Sequence, residues 1–273
     1  MHRPSKINAM PIPLFYVDAF THRPSRGNPA AVCLLNCWLD DEGMRKVASE
    51  NNLSATAFLV ARNGGYEIRW FTSRCELKLC GHATLASAFV VLNLLKPGSE
   101  SVRFSTRHRG TIAVRRRDGR LLMDLPALPP MACSRVPAEL LRGLGLTTPP
   151  IEILGANDTY VVVVEDQETV RGLRPDFSLL ERIFPCSVVV TSGGTESDFV
   201  SRYFAPGFGL PEDPVTGSSH CILAPYWAGR LAQSRFHARQ LSQRGGELWC
   251  ELKEDRVLLE GHAVLIFEGS LVE

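Results

Sequence analysis

Ile68-Arg69-Trp70-Phe71-Thr72, a polar gap, then Cys80-Gly81-His82-Ala83-Thr84 opening into Leu85-Ala86-Ser87-Ala88-Phe89-Val90-Val91-Leu92 is a stretch that the chain uses twice. The second copy runs Ser201-Arg202-Tyr203-Phe204-Ala205-Pro206, a gap, Asp213-Pro214-Val215-Thr216-Gly217-Ser218-Ser219-His220, and then Ile222-Leu223-Ala224-Pro225-Tyr226-Trp227. Each reads as a strand with an Arg-aromatic-Phe core, a loop, a Gly turn and a mostly apolar helix. Phe and Gly stand ten residues apart in the first copy and thirteen in the second. Two related halves facing each other, with two helix N-termini aimed at one cleft, is the arrangement this repeat predicts.

Around the repeat, 14–20 and 30–35 are β-rich apolar runs, and 40–51 is a helix with acids in its first turn. A strand follows at 56–60, and Asn63-Gly64-Gly65 signals a hairpin. The first repeat helix covers 83–95 and stops at Lys96-Pro97-Gly98. Strands are expected at 101–106, 111–116 and 120–125. Pro126, Pro129 and Pro130 then mark a boundary, dividing the chain into halves 1–125 and 126–273. The second half carries a helix near 137–144, strands at 151–154 and 160–164, a helix near 177–183 and a strand at 187–191. Its tail alternates strands at 236–240, 248–252, 256–260 and 263–267, and the last strand, near 263–272, is expected to pack back onto the first half. Many short strands with one well-defined helix in each half indicate an α+β fold. Each half is then a curved, mostly antiparallel sheet or barrel around a central helix.

Composition removes several function classes. With 273 residues, 45% hydrophobic and 22% charged, the chain has the profile of a globular protein. A net charge of +1 gives no broad electrostatic footprint for nucleic acid or an anionic membrane. The basic cluster Arg115-Arg116-Arg117 leads into Asp118-Gly119 and reads as a solvated hairpin turn. No apolar run approaches the roughly 20 residues that span a bilayer. The polar start Met1-His2-Arg3-Pro4-Ser5-Lys6 reads as a short disordered leader, not a signal peptide. Eight cysteines form no C-x-x-C pair and no zinc-spaced cluster, which predicts free thiols in a reducing cytoplasm and no metal site.

A helix N-terminus exposes unsatisfied N–H donors and a partial positive charge, so it accepts carboxylate or phosphate. Plain capping of a core helix is the bland account of Thr216-Gly217-Ser218, but a matching Gly81-His82 in the other half favours a shared site for a small acid. Proton transfer there has several candidates. His82 carries an imidazole, whose ordinary pKa is near neutrality, Asp213 stands before Pro214 with Glu212 beside it, and Cys80 is a thiol at a helix start, where its pKa can fall. His220 and Cys221 lie inside the second helix and read as core.

Four ordered motifs resemble the PhzF family, phenazine-biosynthesis-like isomerases that share the diaminopimelate epimerase fold. They are Gly27-Asn28-Pro29-Ala30-Ala31-Val32, Asn52-Leu53-Ser54-Ala55-Thr56-Ala57-Phe58, Cys80-Gly81-His82-Ala83-Thr84 and Glu212-Asp213-Pro214-Val215-Thr216-Gly217-Ser218. Ser201–Pro206 and Gln243-Arg244-Gly245-Gly246-Glu247-Leu248 are similar to its phenazine biosynthesis-like domain-containing branch. The resemblance implies a homodimer of two-half protomers and cofactor-independent proton transfer on a small carboxylate-bearing substrate. His82, Asp213 and Ser218 match family active-site positions, Gly81 and Gly217 the helix ends, and Ser54 a pocket position. Thr216 adds a hydroxyl beside Gly217.

One position departs. The family pattern places its proton-shuttling Glu after Asn-Leu-Ser, where this chain has Ala55. A methyl group carries no proton. Glu50, the nearest carboxylate in sequence, reads as solvated or structural. Four accounts stay open: a small-acid-binding or regulatory homologue without turnover; another base, Asp213 with His82 or else Cys80; a Glu→Ala substitution made at the active site; and a water held beside Ala55 with help from Ser54.

Overall fold

The computed structural model describes residues 11–272 except 63 and 134, so the expected leader and Asn63 of the hairpin signal lie outside the described residues. The first half contains β1 (Ile12–Ala19), β2 (Asn28–Leu35), α1 (Asp41–Asn51), β3 (Ala55–Arg62), β4 (Gly65–Phe71), β5 (Glu76–Leu77), α2 (Gly81–Phe89), β6 (Ser101–Thr106), β7 (Thr111–Arg117) and β8 (Arg120–Pro126). The second contains β9 (Met131–Ala132), α3 (Ala138–Leu144), β10 (Glu152–Ala156), β11 (Thr159–Val163), α4 (Gln167–Gly172), α5 (Phe177–Glu181), β12 (Ser187–Gly193), β13 (Phe199–Ala205), β14 (Leu210–Asp213), α6 (Gly217–Leu231), β15 (Arg235–Gln240), β16 (Gly246–Lys253), β17 (Arg256–Gly261) and β18 (Ala263–Leu271).

The two halves pair their strands by the same rule. In the first, β1–β2 is antiparallel, β2–β3 parallel, β3–β4 antiparallel, β4–β6 parallel, and β6–β7 and β7–β8 antiparallel. The series β10 to β13, then β15 to β17, repeats those orientations in order. An antiparallel β8–β17 seam joins the sheets. The strand after each seam strand pairs beyond the seam: β9 with β10 inside the second half, and β18, from the second half, with β1 of the first.

Side-chain alternation explains why each sheet wraps one helix and leaves the others outside. Ala55, Ala57 and Leu59 of β3 point into the core shared with α2 and α6, while Phe58 and Val60 point outward toward α1. In β12, Val189 points inward and Val188 and Val190 pack under α3 to α5. Helix α2 is buried continuously from His82 to Ala88, which its small residues permit. The hydroxyls of Thr84 and Ser87 donate back to the carbonyls of Cys80 and Ala83 at 2.6 and 2.7 Å, so they are buried without losing a partner.

Three local features add to the sequence reading. The first repeat helix begins at Gly81, and beyond Phe89 its turns widen, with the Lys96 amide bonding back to Val91 at 2.7 Å. Pro225 sits inside α6, where it has no N–H for the Cys221 carbonyl. The Leu128 amide takes that carbonyl at 2.9 Å, pinning the segment between the halves to the second helix. The short α4 and β14 had no clear sequence signal.

Candidate active site

Two hairpins set the helix starts. In the first, Arg69 holds Glu76 with two bonds, Nε to Oε1 at 2.7 Å and Nη2 to Oε2 at 2.6 Å. In the second, Arg202 holds Glu212 at 2.7 and 2.9 Å. Each guanidinium carbon also lies 5.0 Å from the ring of the Phe two residues on. Phe71 faces Glu76 and Phe204 faces Glu212 in strand register. Glu212 is therefore the partner of Arg202, not a free acid. The next register pair is Trp70–Leu77 in one half and Tyr203–Asp213 in the other. Asp213 thus occupies the place of an apolar residue in its sister half.

Both hairpins lead into Gly-opened helices that meet. A β-carbon on Gly81 would lie 3.6 Å from the Gly217 Cα. Neither Cys80 nor Thr216, the residues before the two helices, caps its helix with its side chain. The first-turn N–H donors of two helices therefore converge on one cleft of about 410 Å³. Ser54, Cys80, Gly81, His82, Asp213, Thr216, Gly217 and Ser218 all line it.

A single hydrogen-bonded chain crosses the cleft floor. Thr216 Oγ1 donates to Asp213 Oδ2 at 2.6 Å, and Asn28 Nδ2 donates to Asp213 Oδ1 at 2.7 Å and to the Val215 carbonyl at 2.8 Å. With its amide nitrogen so placed, Asn28 presents Oδ1 to Ser54, whose hydroxyl donates to it at 2.7 Å. Ser54 has one proton, so its 3.1 Å contact with His82 Nε2 requires the ring nitrogen to donate. Nδ1 is then the acceptor and faces the Cys80 thiol at 3.5 Å. Every donor in the chain points toward Asp213. Gln240 closes the far end, donating to the Asp213 carbonyl at 2.6 Å and accepting from the Thr216 amide at 2.8 Å.

Burial sets the protonation states. It raises the Asp213 carboxyl to about 6, against the opposing bonds from Thr216 and Asn28. It lowers His82 to about 3, away from the near-neutral value expected of an imidazole, so the ring is neutral. It pushes the Cys80 thiol up to about 12, with the Ala83 amide opposing. The direction for Cys80 is the reverse of what a helix start alone would give. It is a thiol, and the group in this cleft that titrates near neutrality is Asp213.

Ala55 opens β3, fully buried in the apolar core, and does not line the cleft, although its neighbour Ser54 does. Glu50 is exposed on α1. His220 and Cys221 are buried in α6, with His220 stacked on Phe199 at 5.8 Å. Sequence reasoning gave no role to Asn28, although it stands in the Gly-Asn-Pro motif, nor to Gln240, Tyr203, Phe208 or Arg74. The Gly27-Asn28-Pro29 motif itself was the available signal for the first.

A family model described as phenazine biosynthesis-like protein, PhzC-PhzF, matches residues 17–269. An "uncharacterized isomerase" of Pseudomonas aeruginosa is 48% identical over 262 residues, covering 96% of this chain and 99% of its own. The human phenazine biosynthesis-like domain-containing protein is 38% identical over 288 residues, with coverage of 96% and 99%. Among solved structures, a PhzF family protein of Enterococcus faecalis superposes with a TM-score of 0.90 at 41% identity, over 97% of this chain and 100% of that one. A probable proline racemase of Agrobacterium radiobacter, at 10% identity and a TM-score of 0.63, shares the fold.

Proposed function

The chain belongs to the PhzC-PhzF family of phenazine biosynthesis-like proteins, and from that premise we propose that it is an isomerase moving a proton on a small carboxylate-bearing substrate. Asp213 is the group that takes and returns the proton, in place of the Glu that the family pattern puts at position 55. The substrate carboxylate lies against the first-turn amides at Gly81 and Gly217. His82, neutral and held at both ring nitrogens, orients Ser54 and through it Asn28. No metal or organic cofactor enters this mechanism, and the family resemblance adds a cytoplasmic homodimer to the reading.

One observation carries the proposal. Asp213 is a buried carboxyl at the cleft whose pKa is raised to about 6, beside two helix starts that no side chain caps. An acid poised near the working pH is present both as base and as conjugate acid, the condition for moving a proton out and back. The test is incubation with a panel of small unsaturated and α-substituted acids in heavy water, with deuterium incorporation read by mass spectrometry. At least one acid is expected to gain deuterium, and Asp213→Asn to slow exchange by about 10²-fold or more. An Asp213→Asn variant as fast as the parent sinks the mechanism.

Ala55 favours a second reading, a small-acid-binding homologue without turnover. It expects saturable binding of an acid with no deuterium incorporated into it.

A further inference from the structure

Arg74 is the one cationic side chain among the described residues that line the cleft, because His82 is neutral. It lies in the turn between β4 and β5, where its own amide is held by Thr72 Oγ1 at 3.1 Å. Its guanidinium crosses to the equivalent turn of the other half, between β13 and β14, and rests on Gly209. A β-carbon built on Gly209 would stand 2.7 Å from both Arg74 Cζ and Nε. Gly209 also adopts a φ of +80°, so a glycine there provides both the turn and the seat for the arginine.

That seat comes without a counter-ion. Arg69 and Arg202, the repeat arginines, are each held by a Glu in two bonds. Among the described residues no carboxylate lies within ion-pair distance of Arg74, and its guanidinium has no hydrogen-bond acceptor. The cleft is also lined by Leu77, Leu79 and Leu210 and by Tyr203 and Phe208. The Tyr203 hydroxyl donates to Ser187 at 2.7 Å, so the ring is what the cleft receives. The cleft therefore combines two helix starts, apolar lining and an exposed, unpaired cation.

We propose that the site selects small dicarboxylic acids, one carboxylate on the helix starts at Gly81 and Gly217 and the other on Arg74. This rests on the reading that the helix starts hold a carboxylate. The planar guanidinium can take the second carboxylate in two parallel bonds, which lysine cannot reproduce.

The test is titration calorimetry at low salt with benzoate and terephthalate, the same ring with one carboxylate or two. The parent is expected to bind terephthalate about tenfold tighter or better, the scale of one charge-assisted contact. Arg74→Met is expected to erase that preference and leave benzoate within about twofold, and Arg74→Lys to keep part of it. Equal affinity for the two acids in the parent, a preference that survives Arg74→Met, or no binding of either acid at millimolar concentration overturns the proposal. Gly81→Ala separates it from the reading beneath: loss of both acids in that variant, with no parent preference, leaves the helix-start site standing and removes the role of Arg74. Because calorimetry reads binding alone, a failure of deuterium exchange does not bear on it.

Discussion

The side-chain amide of Asn28 donates to Asp213 Oδ1 at 2.7 Å, so a residue of β2 in one half holds the acid of the other. A hydrogen bond to a carboxylate favours its charged form. Asn28→Ala is therefore expected to push the Asp213 pKa above about 6. Asn28 is fully buried and also serves Ser54 and the Val215 carbonyl, so the same variant should lose roughly 1–3 kcal/mol of stability. Carbon-13 NMR titration of the labelled carboxyl reads the first effect without needing turnover. A midpoint that does not move removes Asn28 from the control of Asp213.

Asp213 also makes stability depend on pH, with a definite sign. Its folded pKa of about 6 lies above the ordinary value of 3.8, so the folded chain holds the proton more tightly. That contribution is complete below about pH 3.8 and is lost as pH rises through 6, a change of about 3 kcal/mol. Asp213→Asn keeps the shape and removes the titration, so it should be more stable than the parent at pH 8 and nearly equal to it at pH 4. His82 acts oppositely: lowered to about 3 from 6.5, it contributes stability that is present above 6.5 and lost as pH falls. Comparing variant with parent at each pH cancels the histidine. Thermal unfolding at the two pH values checks this, and a constant difference between the proteins contradicts it.

Much of this arrangement is legible in the sequence. The Arg-aromatic-Phe pattern, with a Gly-opened apolar helix after it, marks both repeats because ion pair, strand and helix start are all local in sequence. The β8–β17 seam was not legible, since strand pairing across more than a hundred residues leaves no local trace. The bridge from Asn28 to Asp213 spans 185 residues and is invisible for the same reason. Nothing in the sequence distinguishes Arg74 from other surface bases, and its seat on Gly209 is a tertiary contact. The direction of the Cys80 shift is not legible either, because a helix start and burial pull a thiol pKa opposite ways and burial depends on tertiary packing.

Ala55→Glu tests whether the rest of the site still matches the family pattern. The methyl is fully buried one residue beyond Ser54, so a carboxyl there either turns into the cleft or stays in an apolar core. The first outcome should raise deuterium exchange into a small acid of the exchange panel by about 10²-fold or more. A lower melting temperature should accompany it, because a buried carboxyl costs stability. A folded variant with no gain in exchange would mean that the pocket has been turned to other use.

The two glycines that meet at the cleft should respond differently to the same added methyl. On Gly81 a β-carbon would lie 3.6 Å from the Gly217 Cα and 4.0 Å from the Ser218 amide nitrogen, both ordinary contacts. Gly81→Ala should therefore melt at or above the parent temperature, since alanine favours a helix over glycine. Its methyl nevertheless fills the gap between the helix starts, and binding of a small acid should fall by about tenfold or more. On Gly217 the β-carbon would meet Leu259 at 3.1 Å and Phe20 at 3.3 Å, so the core must shift. Gly217→Ala should lose about 1–3 kcal/mol as well as affinity. Differential scanning fluorimetry and calorimetry on the pair give the answer. A Gly81→Ala variant that binds a carboxylate as well as the parent does would show that the acid is held somewhere other than between the helix starts.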